Sequence, residues 1–129
     1  MTGDEFIEQF ERGAVPCHSF HHADHVRLGF TYLSQHQVLE ALEKFSSALK
    51  RFATACGKTQ LYHETITWAY LFLIRERMAR AGTENWEQFA ENNADLMIWK
   101  DGILGRYYRA ETLQSELARK VFVLPDKLV

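Results

Sequence analysis

Only two prolines, Pro16 and Pro125, occur in the 129 residues, so nothing between them forces a helix to stop. Cysteine is equally scarce: Cys17 and Cys56 are the two present, and they form no CxxC pair. The acidic start, MTGDEFIEQF, lacks the basic-then-apolar order of a secretion signal, so the expectation is a cytoplasmic protein with reduced thiols. Cys56 continues an apolar helix stripe and reads as core. Cys17, beside Pro16 and near a group of histidines, is a minor candidate ligand. Long apolar runs are missing too, since the longest, Trp68 to Ile74, is far short of the ~20 residues that cross a bilayer. With a net charge of −2 there is no basic excess, and a nucleic-acid role lacks its electrostatic footprint. GxGxxG, Walker, GxSxG and EF-hand patterns do not occur, and GILGRYY is too poor in glycine for a phosphate loop. Nucleotide and flavin cofactors gain no support.

Against those absences stands an ordinary globular composition, 47% apolar and 25% charged, with no repeat or linker-like tract. One domain over 1–129 is expected. Period-3.6 patterns dominate. Asp4 to Arg12 reads as a first helix with Phe6, Ile7 and Phe10 inward and Gly13 ending it. Ala23 to Ser34 reads as a second, with Val26, Phe30 and Leu33 inward. The third is the clearest, because Val38, Leu42, Phe45, Leu49, Phe52 and Cys56 recur at steps of four and three before Gly57. A fourth spans Tyr62 to Ala81, apolar all round in its middle and therefore central, ended by Gly82. Thr83 or Asn85 could cap a fifth that carries Trp86, Phe89 and Ala90. From Asp95 the pattern predicts a helix through Tyr107, then short turns to Pro125, with VFVL as an extended tail. No stretch alternates with period 2. The fold class is all-α: a bundle of about five or six helices with an irregular C-terminal tail.

Three of the six histidines fall in FHHADHVRLGF, at the start of the second helix. By helical spacing His22, His25, Val26, Gly29, Phe30 and Leu33 form one stripe, with two imidazoles at its N-terminal end. His21 lies on the flank with Leu28 and Tyr32, and Asp24 is a first-turn acid. The fourth helix repeats the arrangement, since His63 shares a face with Ile66, Thr67, Tyr70 and Ile74. Glu64 sits about 100° round from it. Neutral imidazoles are the usual side-chain ligands of zinc, iron and copper, and three converging ligands leave positions open for water or substrate. His22, His25 and His63 are therefore candidate ligands for a divalent transition metal such as Fe, Zn, Mn or Cu. Glu64 is then a fourth ligand or a catalytic base acting on bound water. Such a site suits oxidation or hydrolysis of a small organic molecule. The alternative is a non-enzymatic small-molecule-binding or regulatory module with hydrogen-bonded core histidines. A third reading is a homodimer joined through apolar surface. His18 and His36 fall in loops. Arg27 is expected to pair with Asp24 or another surface acid. Trp99, Tyr107 and Tyr108 could line a pocket mouth or form a packed lid.

FHHADHVRLGFTYL, YHETITWAY and RYYRAETLQSELARKVFVLPDKLV together resemble a family of small bacterial all-helical proteins with no assigned activity. Its pattern reads FxHxxH[LV]R, then YHET[IL]T, then a Tyr-Ser-containing tail closing on ARxxFVxPD. The likeness covers Phe20 to Leu33, Tyr62 to Thr67 and Arg106 to Asp126. It implies shared roles for His22, His25, Arg27, Tyr62, His63, Glu64 and Thr65, and it leaves His21 out. Tyr108-Arg109 stands where the pattern has Tyr-Ser. The resemblance strengthens the site and implies no reaction.

Overall fold

The computed structural model describes residues 1–82 and 85–127. Among them the chain is all-α, with seven helices and no strand. These are α1 (Gly3–Glu11), α2 (His22–Gln35), α3 (Val38–Ala55), α4 (Glu64–Ala81), α5 (Trp86–Asn92), α6 (Ala110–Leu113) and α7 (Glu116–Lys120). The glycines that the sequence reading placed at helix ends do end them. Gly13, Gly57 and Gly82 take φ of 77°, 71° and 81°, where a side chain would strain the backbone. Asn85 caps α5, accepting from the Gln88 amide while the Gln88 side chain accepts from Asn85 N. Thr83, the other candidate cap, lies outside the described residues.

Helix α2 is the middle of the bundle because both of its apolar edges find partners. Leu28 and Tyr32 join Phe6, Phe10, Phe45 and Leu49 on one side. Val26 and Phe30 join Ile74, Phe89, Leu96 and Tyr108 on the other. Gly29 lets α2 approach α4: a Cβ there would stand 3.0 Å from Ile74 Cδ1 and 3.3 Å from Leu71 Cδ1. His22 meets Tyr70, ring centroids 4.8 Å apart, while Gly29, about two turns further along α2, meets Ile74, about one turn further along α4. The two helices therefore run in the same sense, and their N-terminal ends share one end of the molecule.

Helix α4 is central as its apolar middle requires, but one of its faces is covered by chain rather than by a helix. Phe122 of the extended tail lies 5.3 Å from Trp68 and 5.8 Å from Phe72, centroid to centroid. Thr65, fully buried, fixes that tail by donating to Val121 O at 2.9 Å and accepting from Val123 N at 3.0 Å.

Two expectations are corrected. The helix predicted from Asp95 through Tyr107 is replaced by two 3-10 turns, Ala94–Met97 and Ile103–Arg106. The Asp101-Gly102 turn between them is the reason: Asp101 has φ 54°, and a Cβ on Gly102 would lie 2.5 Å from Ile98 O. The cysteines, expected to be reduced, are joined in a Cys17–Cys56 disulfide with Cα atoms 5.8 Å apart. Cys56 is the C-cap of α3 and half-buried, while Cys17 sits exposed on the Cys17–Ser19 turn that passes over it.

The closeness at Gly29 sets a clear expectation for two substitutions. Gly29→Ala gains helix propensity of ~1 kcal/mol but must push two leucine and isoleucine methyl ends aside, so it stays within ~1 kcal/mol of wild type. Gly29→Leu has no room and should lower unfolding free energy by about 3 kcal/mol or more, read from urea unfolding.

Candidate functional site

Because α2 and α4 start at the same end, the FHHADH and YHET segments do share a neighbourhood, yet their imidazoles do different work. His22 is the first residue of α2, and its Nε2 lies 2.9 Å from Leu96 O. A carbonyl can only accept, so Nε2 carries the proton and Nδ1 keeps a free lone pair. Its ring lies 4.8 Å from that of Tyr70 and 5.2 Å from the exposed Trp99. His25, one turn on, has its ring 6.3 Å from His22 and 4.4 Å from Phe20. Burial, and then the nearby His22, hold the His25 ring down to a pKa of about 4. Burial also lowers His22, opposed by its bond to Leu96. Both rings are neutral at pH 7.

His63 is not on the helix at all. With φ −135° and ψ 110° it is the N-cap of α4, so its ring folds back over the first turn. Nδ1 accepts from Ile66 N at 3.1 Å and Nε2 donates to Leu113 O at 2.7 Å. Both nitrogens are used, and no lone pair remains for a metal. Burial lowers its pKa, with the bond to Leu113 opposing and the Arg119 charge adding to the shift. Among the described residues, no three His, Cys, Asp or Glu side chains are grouped so as to hold a metal ion. In this geometry His63 stands apart from the His22–His25 pair with both nitrogens bonded, and the Cys17 sulfur is in the bridge.

Glu64 turns to a different partner set. It accepts from the Tyr62 hydroxyl at 2.6 Å and stands 4.0 Å from Lys50 Nζ. Lys50 in turn lies 5.1 Å above the Tyr62 ring. Burial, then the bond to Glu64, push the Tyr62 hydroxyl well above its ordinary value, so it is a donor and not a base. Trp68 Nε1 on α4 is buried without a hydrogen-bond partner among the described residues. In front lies a cavity of about 270 Å³ lined by Lys50, Thr59, Tyr62, Glu64, Arg119 and Lys120. The tail brings the last two, because α7 packs on α4 and Arg119 donates to Gln60 O.

Lys50 and Thr59 were invisible as site residues, since each sits in a stretch with no motif, and Lys120 falls on a variable position of ARxxFVxPD. Only Arg119 carried a signal, through the ARxxFVxPD resemblance. Arg27 does not pair with Asp24. Its guanidinium lies 4.8 Å from the Phe6 ring centroid, and Nη2 donates to Met1 O at 3.0 Å. Asp24 instead accepts from His21 N at 2.9 Å, and His21 stays exposed, apart from the pair. Tyr108 is lid rather than pocket mouth, buried and donating to Val123 O at 2.7 Å. No protein-family model matches the chain, and no curated protein or solved structure matches it either.

The neutral imidazoles fix the acid behaviour of the fold. His22, His25 and His63 bind protons more weakly folded than unfolded, so the unfolded chain gains protons first as pH falls. Stability should be full above about pH 7.5 and fall as pH drops from 6.5 through 4. His25→Phe should flatten that decline, which melting temperature followed against pH will show.

Proposed function

We propose that this chain is a small-molecule-binding module rather than an enzyme, and that its ligand carries an oxyanion, a phosphate or carboxylate. One observation carries the reading: Lys50, Arg119 and Lys120 surround a single cavity in whose lining, among the described residues, Glu64 is the one carboxylate and already accepts from Tyr62, while Glu116 outside the lining pairs with Arg119. The cavity suits a small group, and the Tyr62 hydroxyl and the Thr59 side chain supply neutral polar contacts at its wall. Charge-assisted hydrogen bonds from ammonium and guanidinium groups are the strong ones for such a ligand. The case against catalysis is that the nearby bases are committed. His63 uses both nitrogens, and Glu64 is held between Tyr62 and Lys50. No helix among the described residues is long and apolar enough to cross a membrane.

Isothermal titration with inorganic phosphate and with succinate, against chloride at matched ionic strength, tests this. At least one should bind to wild type, and Lys120→Ala should weaken it about tenfold, the equivalent of ~1.4 kcal/mol. Lys100→Ala, an exposed lysine outside the cavity lining, should leave binding unchanged. Equal heats for all three anions would end the proposal.

A second reading rests on His22 and His25. A ligating histidine ordinarily donates its other N–H to a carbonyl, the posture His22 takes toward Leu96. His25, three residues on, makes no hydrogen bond to a described residue. The pair would offer two ligands to zinc or copper, with water in the remaining positions. Elemental analysis of untagged protein, followed by Zn²⁺ titration, should then give about one equivalent that is lost in His22→Ala. Retention of that metal in His22→Ala would reject the pair as its ligands.

A further inference from the structure

The ten residues between α1 and α2, 12–21, form a strap with little hydrogen bonding to hold it. Gly13 and Ala14 bond back to the end of α1, Ser19 N bonds within its own turn to Pro16 O, and His21 belongs to the cap of α2. Among the described residues, no hydrogen bond ties 15–20 to another element. Side chains do that work instead: Val15 and Phe20 pack on the core, and Cys17 and Phe20 both reach the same end of α3. Cys17 is bonded to Cys56, and Phe20, three residues on, packs 4.9 Å from Phe52, four residues before Cys56. The Phe20 ring also lies 4.8 Å from Phe10 and 4.4 Å from His25. The strap is thus a two-rung ladder, one rung covalent and one aromatic, with His25 beneath the aromatic rung.

The two rungs are unequally accessible. Cys17 is exposed, whereas Cys56 is half-buried at the helix end. A thiol can therefore reach one sulfur of the bridge, and exchange depends on such access. While the bridge is closed, Phe20 is held near its nest as an intramolecular neighbour. Once it opens, the non-covalent contacts of Phe20 and Val15 must oppose the entropy of the free strap on their own.

We propose that the Cys17–Cys56 bridge is a reducible latch, opened by a dithiol that attacks the exposed Cys17 sulfur, and that opening lifts Phe20 off His25. The attacking thiolate bonds to Cys17 Sγ, the Cys17–Cys56 bond breaks, and its electron pair leaves on Cys56 Sγ, which takes up a proton. The second thiol of the reductant then displaces Cys17 as a thiol and leaves with the first as a disulfide. Two electrons and two protons pass from the dithiol to the cysteine pair. In a reducing compartment the strap is open, and in an oxidising one it is closed, so the accessibility of one face of the His22–His25 pair follows the thiol poise around the protein.

The test compares the full chain, oxidised and after dithiothreitol, by diethyl pyrocarbonate labelling of each histidine and by amide hydrogen exchange. Oxidised protein should label quickly at the exposed His18 and His21 and slowly at His25. Reduction should raise the His25 rate about tenfold and speed exchange at 14–20, a local opening, while His63 stays protected. Cys17→Ser should match the reduced protein. Oxidised Phe20→Ala, with the latch intact and the ring gone, should label at His25 as fast as the reduced wild type. Equal His25 rates in the two redox forms would overturn the proposal. So would His63 becoming as reactive as His25 on reduction, which would mean general unfolding, or a bridge that dithiothreitol leaves intact in the native protein.

Discussion

The two nitrogens of His63 join the first turn of the central helix to the chain that crosses its end. Nδ1 takes the Ile66 amide that α4 leaves without an intrahelical partner, and Nε2–H reaches Leu113 O, fifty residues on in sequence. Two residues later Thr65 repeats the link, bonding both Val121 O and Val123 N. Without these bonds the tail beside α4 would keep only its links further along, such as Tyr108 to Val123 O and Asp126 N to Tyr107 O. Phe122 would then lose its register on Trp68 and Phe72, and the apolar middle of α4 would face water. The small helices α6 and α7, and with them Arg119 and Lys120, are delivered to the cavity by this pair of residues.

Such a clamp works only with a neutral ring. A protonated His63 would present an N–H where the Ile66 N–H already points, so the proton must be refused, and burial does this. The same end of the molecule holds two more imidazoles that refuse protons, His22 and His25. The desolvation that makes them cheap to keep neutral also makes the bundle acid-sensitive, because all three shift in one direction and none is offset by a paired carboxylate.

Most of the helical frame was legible because periodicity and glycine placement agree. The stripe Val38 to Cys56 and the breaks at Gly13, Gly57 and Gly82 each rest on local chemistry that the residues display. The stretch 95–107 was illegible because its decisive contact, Ile98 O and Trp99 O closing over Gly102, is a packing fact rather than a pattern. The pairing of Cys17 with Cys56, 39 positions apart, needs the strap to cross the end of α3, and no spacing announces that. The misplacement of His63 has a sharper cause. Its assignment to a stripe with Ile66 and Tyr70 assumes a helix from Tyr62, but α4 begins at Glu64. A shift of two residues turns an inward helical histidine into a cap, and it sends Glu64 toward Tyr62 and Lys50. His22, by contrast, is truly helical, and its inward placement holds.

The motif residues therefore divide by whether their hydrogen-bonding capacity is spent inside the fold. His63, Thr65 and Tyr108 are spent, each on a backbone group that would otherwise be buried unpaired. Arg27 is mostly spent, stacked on Phe6 and bonded to Met1 O, though its Nε is buried without a partner. What remains unspent is His22 Nδ1, both nitrogens of His25, and part of the donor capacity of Lys50, Arg119 and Lys120 around Tyr62 and Glu64. A fold can tolerate unspent donors and acceptors only where water or a ligand reaches them. These groups all lie at the end where α2 and α4 begin, under or beside the strap and the tail, which are the two segments that side-chain bonds rather than helical packing hold in place. That coincidence is the physical ground for placing function at this end of the bundle.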